Sequence, residues 1–452
     1  MTEERSPLSV YAHLPFCARK CHYCDFNSRS GSDEQRARYI DALKREIDRR
    51  AKTLGGHCVR TIFFGGGTPT VYEGEELADV LSVVRTPSSA HAPPPGATNG
   101  VAQAGRGGRK ATATDCVEIT CEANPETGPH PPAIDDIAFP PLPGVIDDMT
   151  QAGRGGRKAT TTDCVEITCE ANPETVDLPK MQALREAGFN RISIGAQSFH
   201  DDELTMLGRG HTAEQTEKAV RAAREAGFAN VSLDLIYALP GQTVDRWRET
   251  LRRALALRPE HLSAYGLELA EGTPLFARWQ RGEIAPVGES EHLAMRDLTL
   301  EMCEQAGLRR YEISNYALPG RECAHNLTYW RNEDYLGVGA GAWSYLGGVR
   351  SENLREPSDY VRAIASGEAP TACEERLDAD DGLAEALMMG LRMVGGLEIA
   401  ALERVWGERR VREMISRAQP LAERGLVDLR DGRIRLTRQG EALHSEVCVR
   451  LM

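Results

Sequence analysis

The amino-acid sequence predicts an α/β protein: a partial barrel of six strand–helix units, a (β/α)6 arrangement, followed by a small winged-helix-like α+β domain. Strand-like and helical segments alternate from residue 9 to about residue 316, and the pattern changes after about residue 370. Two helical segments end in a glycine, Gly188 and Gly227, a few residues before the next strand. Repeated strand–helix units indicate a parallel sheet with right-handed crossovers. An open, doubly wound sheet has the same alternation and is the alternative.

The elements of the barrel are predicted from hydrophobic runs and from helical periodicity. Ser32 and Gln35 have the spacing of a capping box and open the first helix. In either fold the active residues should lie at the C-terminal ends of the strands. The predicted strands are 10–16, 61–64, 164–170, 191–196, 231–238 and 262–269. The predicted helices after the first are 75–85, 178–187, 213–226 and 244–257.

One segment of the chain is duplicated. Residues 103–127 and 151–175 are identical except that Ala113 in the first copy corresponds to Thr161 in the second. Each copy contains one strand-like stretch, and the barrel has room for one. The second copy is preferred because a helix and a strand follow it at ordinary connection lengths, whereas the first copy runs into a proline-rich stretch. The first copy is the alternative, and residues 86–160 are expected to be a poorly ordered excursion.

The expected domain organisation has three parts. Residues 1–285 form the barrel core with its excursion, 286–372 a connecting region, and 373–452 the C-terminal domain. In the C-terminal domain we expect helices at 380–394 and 409–424, followed by a hairpin at 426–436 that turns on an Asp-Gly pair.

Composition excludes several classes of protein. The chain has 452 residues and a formal net charge of −13, which argues against binding to nucleic acid or to anionic membranes. It has no apolar run of about 18 residues, so no membrane span is expected. The polar N-terminus does not resemble a secretory signal. The 12 cysteines are scattered through a large chain, which favours a reducing cytoplasm, where clustered cysteines indicate a metal site.

Three cysteines are clustered near the N-terminus. Cys17, Cys21 and Cys24 have the spacing C-x3-C-x2-C, and no fourth cysteine lies nearby. Three thiolates can hold three corners of a cubane iron–sulfur cluster and leave one iron open. A structural zinc ion is the alternative, and it would need a fourth ligand, such as His13 or His22.

This compact motif resembles the signature of the radical S-adenosylmethionine (SAM) superfamily. The run Gly65-Gly66-Gly67-Thr68-Pro69 after the second predicted strand is similar to the glycine motif of the same superfamily. A tight strand–helix turn would also explain these glycines. The resemblance implies a [4Fe–4S] cluster at the three cysteines and SAM at the open iron.

A closer resemblance is to the oxygen-independent coproporphyrinogen oxidase group and, within it, to the HemW-type heme chaperones. It covers most of the chain except residues 86–160. The motifs that carry it are 17–26, 65–69, 170–173, 195–199, 207–211, 234–243, 311–316 and 325–330.

The resemblance implies a set of SAM contacts at the strand ends, where carboxylates would meet ribose hydroxyls and an arginine would meet a carboxylate. Taken singly each is weak, because a buried Asp or Glu is more often paired structurally. The implied contacts are Tyr11, Gly66, Gly67, Thr68, Glu170, Gln197, Arg209 and Asp234, with Tyr23 as a further one. No catalytic residue is assigned.

Two features distinguish the subfamilies. Phe26 stands where the decarboxylating oxidases carry an additional cysteine, and only a short segment precedes Cys17. Both favour a chaperone that binds heme and transfers it to an acceptor protein, with an electron donor for the cluster. The alternative is oxidative decarboxylation of coproporphyrinogen III.

The candidate heme contact is His325, in the motif His325-Asn326-Leu327-Thr328-Tyr329-Trp330. Imidazole is a common axial ligand of heme iron. A structural histidine packed beneath the aromatic residues of the same motif is the alternative, and Cys323 is another candidate ligand.

Overall fold

The structure, a computed structural model, describes residues 6–85 and 166–452. Within these residues twelve strands form one sheet in the order β12-β11-β10-β9-β1-β2-β3-β4-β5-β6-β8-β7. The strands are β1 Pro7–Leu14, β2 Cys58–Gly66, β3 Glu166–Ala171, β4 Arg191–Gln197, β5 Val231–Tyr237, β6 His261–Gly266, β7 Arg309–Arg310, β8 Asn315–Ala317, β9 Tyr335–Val338, β10 Trp343–Leu346, β11 Val349–Asn353 and β12 Thr371–Arg376.

The order of the first six strands decides between the two candidate folds. Strands β1 to β6 are neighbours in chain order, and each consecutive pair is parallel. A doubly wound sheet reverses its strand order at a switch point, and this succession does not. Right-handed crossovers in one direction place the connecting helices on one face. The predicted partial barrel is therefore confirmed.

The helices of this part begin and end largely where the sequence predicts. Ser32 and Gln35 form the predicted capping box of α1, and Gly188 ends α4 with a left-handed φ of 104°. No helix in the described ranges is long and apolar enough to cross a membrane. The helices are α1 Asp33–Arg49, α2 Ala51–Gly56, α3 Gly74–Arg85, α4 Leu178–Ala187, α5 Asp201–Met206, α6 Ala213–Glu225, α7 Val244–Ala256, α8 Pro274–Gln280, α9 Glu289–Gln305, α10 Ala324–Trp330 and α11 Pro357–Ser366.

The second copy of the duplicated segment supplies β3. Residues Glu166–Ala171 pair in parallel with β2 on one side and with β4 on the other. The preference for the second copy is therefore confirmed. The first copy and the excursion predicted at 86–160 lie outside the described residues.

The last part of the chain has a sheet and a hydrophobic cluster of its own. Strand β15 lies between β13 and β14, and the hairpin turns at Asp431 and Gly432, whose φ values of 57° and 68° are those of a type I′ turn. This cluster packs Leu387, Val411 and Ile434 together. The elements are α12 Ala379–Gly390, β13 Leu397–Glu398, α13 Ile399–Trp406, α14 Glu408–Glu423, β14 Val427–Asp428, β15 Arg433–Leu436, α15 Arg438–Glu441 and α16 His444–Leu451.

A buried carboxylate fastens α1 to the far side of the sheet. Glu46 accepts hydrogen bonds from the Gly339 backbone N–H at 2.7 Å, the Asn353 amide at 2.8 Å and the Tyr360 hydroxyl at 2.7 Å. All four residues are buried. The bonds hold the segment after β9 in place, and that segment contacts the loop that carries the cysteines.

Replacing Glu46 by alanine should lower the free energy of unfolding by about 2–4 kcal/mol, because three buried donors would lose their acceptor. Urea denaturation of the purified chain measures this effect. Asp41→Ala removes an exposed carboxylate from the same helix and should cost less than about 1 kcal/mol. Equal losses in the two variants would contradict the role given to Glu46.

Candidate functional site

The three clustered cysteines lie on the loop between β1 and α1, called here the cysteine loop, residues 15–32. Their side chains are half-buried. Burial raises the pKa of Cys17, and the neighbouring Cys21 and Cys24 raise it further, so the three thiols lie close together. Among the described residues, no group of three or more His, Cys, Asp or Glu side chains is arranged to hold a single metal ion. Three adjacent thiolates are the donor set of an iron–sulfur cluster, which this loop fits.

Backbone and side-chain hydrogen bonds anchor the cysteine loop at its base. The backbone N–H of Cys17 donates to the Arg29 carbonyl at 2.8 Å, which closes the loop. The Asn27 amide donates to the carbonyls of Ala340 at 3.0 Å and Arg355 at 2.9 Å. The loop is thereby tied to a part of the sheet that is distant in sequence.

Two further contacts hold the loop. Before its first residue, the Tyr39 hydroxyl donates to the His13 carbonyl at 2.9 Å and accepts from the Ala340 N–H at 2.7 Å. In its middle, the backbone N–H of His22 donates to the Leu207 carbonyl at 2.9 Å. The second contact brings the segment after α5 against the cysteines.

The glycine turn after β2 packs directly beneath the cysteine loop. The Gly67 N–H donates to the Leu14 carbonyl at 2.8 Å, and a Cβ at Gly67 would lie 2.7 Å from the Phe16 carbonyl oxygen. Gly66 has a φ of 108°, and a Cβ there would lie 2.4 Å from the His13 ring. The close approach of the backbone requires a glycine at position 67, and the left-handed conformation favours one at position 66. Both requirements hold whether or not a ligand binds to this turn.

Two carboxyl groups lie on the central strands, Glu170 next to the end of β3 and Asp234 in the middle of β5. Glu170 accepts a hydrogen bond from the Gly66 N–H at 3.2 Å, and Asp234 accepts from the Ser193 hydroxyl at 3.0 Å. Burial, together with the charge of Asp234, raises the pKa of Glu170 to about 7. Burial also raises the pKa of Asp234. The structure thus brings together two carboxyl groups that can accept hydrogen bonds from sugar hydroxyls.

Tyr11 lies on β1 beside these carboxyl groups, where Glu170 adds to the rise in its pKa that burial causes. His13 Nε2 lies 2.9 Å from the Asn27 carbonyl, which can only accept, so Nε2 carries the proton. The Tyr11 hydroxyl then donates to His13 Nδ1 at 3.0 Å. Burial lowers the pKa of His13 to about 4, so the ring is neutral at pH 7.

Arg209 joins the cysteine loop to the strand ends. Its Nη1 donates to Cys21 Sγ at 3.4 Å, and its Nη2 donates to Asn172 Oδ1 at 2.6 Å and to the Gly195 carbonyl at 2.9 Å. Tyr23 lies close enough that Arg209 influences its pKa. Sequence reasoning missed Asn172. The available signal was its place two residues after Glu170, because alternate residues of an extended segment share a face.

Gln197 ends β4 in a strained conformation. Its φ is 62°, and the pairing of β4 with β5 shifts register between Ile194 and Gln197. A Cβ at Gly195 would lie 2.8 Å from Gln197 Nε2, 3.2 Å from Asn172 Oδ1 and 3.3 Å from Arg209 Nη2. Three polar side chains therefore converge on this glycine, and backbone strain of this kind is concentrated at functional sites.

His325 lies at the opposite end of the strands, on α10, and is buried. The Thr61 hydroxyl donates to Ser9, so it accepts from His325 Nδ1 at 2.8 Å. His325 Nε2 then accepts from the Tyr329 hydroxyl at 2.9 Å, and the ring stacks on Phe63 with centroids 5.0 Å apart. Both nitrogens are occupied, which supports the structural role for His325. The heme contact stays a prediction.

The same short helix reaches the C-terminal part of the chain. The Arg392 guanidinium lies 4.5 Å from the centre of the Trp330 ring, and Arg392 Nη2 pairs with Glu312 at 3.2 Å. Helix α10 therefore contacts the barrel strands at its first turn and the end of α12 at its last.

Comparison with known proteins identifies the family. The sequence model of the Radical SAM superfamily matches residues 11–103 and 158–254, and that of the HemN C-terminal domain matches residues 377–443. The heme chaperone HemW of Bacillus subtilis is 31% identical over 97% of this chain and 97% of its own length. This chain belongs to the HemW family of radical SAM proteins. HemW of Mycobacterium tuberculosis strain H37Rv is 30% identical over 98% of this chain and 94% of its own length.

A solved structure shows the same fold. Coproporphyrinogen III oxidase (HemN) from Escherichia coli, a radical SAM enzyme, superposes with a TM-score of 0.72 at 23% identity, over 99% of this chain and 90% of that one. The superfamily match of the HemW-family chain is interrupted between residues 103 and 158, which leaves out nearly all of the first duplicate and retains residues 158–175 of the second. Membership of the radical SAM superfamily implies a [4Fe–4S] cluster and SAM as cofactors.

Glu170 should make the stability of the SAM-free chain depend on pH. Its pKa is 4.5 in the unfolded chain and about 7 in the folded one. The folded state therefore binds the proton more tightly, and its stabilising contribution is complete below pH 4.5 and lost as the pH rises through 7. The parent chain should lose free energy of unfolding on the order of 3 kcal/mol over this pH range, and Glu170→Gln should remove that loss.

Urea denaturation of both chains at pH 5 and pH 8 measures this difference. The variant should gain stability relative to the parent on going to pH 8. Glu75→Gln, which alters an exposed carboxylate on α3, is the control. A difference between parent and Glu170→Gln that is the same at both pH values would contradict the raised pKa.

Proposed function

We propose that this chain is a heme chaperone, which binds heme and transfers it to an acceptor protein. The observation that carries the proposal is the match to HemW chaperones along nearly the whole length of both chains. Phe26 supports it, because this residue is 64% exposed on the cysteine loop where the related decarboxylases carry a further cysteine. A cytoplasmic location and an electron donor for the cluster belong to the same proposal.

In this proposal Cys17, Cys21 and Cys24 hold the [4Fe–4S] cluster. When bound, the cluster supplies one electron and SAM supplies the sulfonium that this electron cleaves. The surrounding side chains offer acceptors for hydroxyl groups and a guanidinium for a carboxylate. The proposed SAM contacts are Tyr11, Tyr23, Gly66, Gly67, Thr68, Glu170, Gln197, Arg209 and Asp234.

The protein's own residues perform binding and orientation at this site. The carboxyl groups of Glu170 and Asp234 would accept ribose hydroxyls, and the Gly66 N–H keeps one Glu170 oxygen in place. Tyr11, whose hydroxyl proton is committed to His13, presents its ring beside Glu170 and shields that side of the site from water.

Cys17→Ala should abolish the visible absorption of the reconstituted cluster, because two thiolates cannot retain a cubane in a site built for three. Iron and sulfide analysis after anaerobic reconstitution measures the loss. Cys58→Ala is the matched control, since Cys58 lies at the opposite end of β2 from the glycine turn. Unchanged iron content in Cys17→Ala would contradict the ligand assignment.

The chaperone proposal is tested on the reconstituted parent chain by two assays in parallel. Adding heme should produce a Soret band that saturates, and coproporphyrinogen III should not be consumed with SAM and a reductant present. Turnover at an enzyme-like rate would favour the alternative, oxidative decarboxylation. A Soret spectrum identical to that of free heme would refute heme binding.

A His325→Ala variant distinguishes the two roles considered for that residue. Because both ring nitrogens already have partners, we expect the variant to lose stability and to keep the position of the heme Soret band. His444→Ala, which removes a half-buried imidazole on α16, is the control. Loss or displacement of the Soret band in His325→Ala alone would identify His325 as the heme ligand.

A further inference from the structure

Each of the three clustered thiols faces a polar side chain. Arg209 Nη1 donates to Cys21 Sγ at 3.4 Å. The Thr68 backbone N–H donates to the Phe16 carbonyl at 2.9 Å, which places the Thr68 side chain next to Cys17, and a hydrogen bond from this side chain lowers the pKa of Cys17. The Ser28 hydroxyl lies 3.7 Å from Cys24 Sγ, and Lys20 Nζ donates to the same hydroxyl at 3.0 Å. The donor to Cys17 comes from the turn after β2 and the donor to Cys21 from the loop between α5 and α6, so neither belongs to the cysteine loop.

One amide connects these two donors. Asn172 Oδ1 accepts from Arg209 Nη2 at 2.6 Å, and Asn172 Nδ2 donates to Thr68 Oγ1 at 2.9 Å. The first bond, together with the bond from the same Nη2 to the Gly195 carbonyl at 2.9 Å, fixes the plane of the guanidinium, so that Nη1 points to Cys21. The second occupies a lone pair of the Thr68 oxygen and leaves its O–H free to donate to Cys17. The orientation of both donors therefore depends on Asn172.

We propose that Asn172 is a positioning residue that sets the reduction potential of the cluster by aligning Thr68 on Cys17 and Arg209 on Cys21. Hydrogen bonds to ligating sulfurs are one of the determinants of iron–sulfur potentials, and outer partners orient and tune the ligands. A donor is bound more tightly by the reduced cluster, which carries the additional negative charge. Loss of the two donors therefore lowers the potential. The inference rests on the cluster placement proposed above.

Asn172→Ala tests the proposal without changing any charge. The reconstituted parent and variant are titrated with dithionite and redox mediators in the absence of SAM, and the reduced cluster is followed by electron paramagnetic resonance. We expect the ratio of reduced to oxidised cluster at a given potential to fall about tenfold in the variant, which is a shift of about 59 mV to more negative potential for one electron. Omitting SAM separates this effect from any change in SAM binding.

Iron content and thermal stability are measured on the same samples. The variant should show the shifted potential while its iron content equals that of the parent. A variant that had lost its cluster would contain less iron. Asn190→Ala is the matched control, because Asn190 bonds the backbone N–H of Ile167 at the other end of β3 at 2.8 Å. It should lower stability and leave the potential unchanged.

Thr68→Val keeps the test decisive if Asn172→Ala does not fold, and a combined variant tests whether Asn172 acts through its two targets. Thr68→Val removes only the hydroxyl that faces Cys17 and should produce part of the shift. In a chain that carries both Thr68→Val and Arg209→Gln, Asn172→Ala should add no further shift, because its two targets are absent.

The outcomes separate this inference from the cluster assignment. If the parent chain binds no cluster, the assignment of the cysteines fails. If the cluster forms in Asn172→Ala or in Thr68→Val with the potential of the parent, the role of Asn172 is refuted and the assignment stands. An equal shift in Asn190→Ala would also refute it, since loss of stability alone would then account for the change.

Discussion

Close backbone contact between the glycine turn after β2 and the first residues of the cysteine loop is the constraint on which the site depends. Gly67 and the carbonyls of Leu14 and Phe16 approach each other at distances that leave no space for a Cβ. This contact sets the height of the cysteines above the strand ends. It also places Gly66 against Glu170, so the loop and the carboxyl groups share one support.

Periodicity and spacing predicted the barrel well, because each strand–helix unit is determined by local hydrophobic pattern and by helix ends. The position of the cysteines on the first loop followed from the apolar run at 10–16 that precedes them. Local pattern could not predict that Asn172 bonds both Thr68 and Arg209, since one follows β2 and the other lies between α5 and α6. Such convergence exists only after the sheet has formed and leaves no periodic trace in the sequence.

The motif around His325 shows the limit of reasoning from residue type. A histidine beside aromatic residues suits both a metal ligand and a packed ring, and the sequence left both open. In the structure, Thr61 and Tyr329 use both nitrogens, and Phe63 covers one face of the ring. Thr61 and Phe63 are alternate residues of β2, yet nothing in their local sequence indicates that α10 packs against them.

The anchoring of Asn27 has a consequence for biosynthesis. Its two acceptor carbonyls, Ala340 and Arg355, lie 313 and 328 positions later in the chain. During vectorial translation the carbonyls that fasten the loop are made more than 300 residues after the cysteines. Final ordering of the loop therefore waits for that later part of the chain, and until then the thiols lack their permanent support.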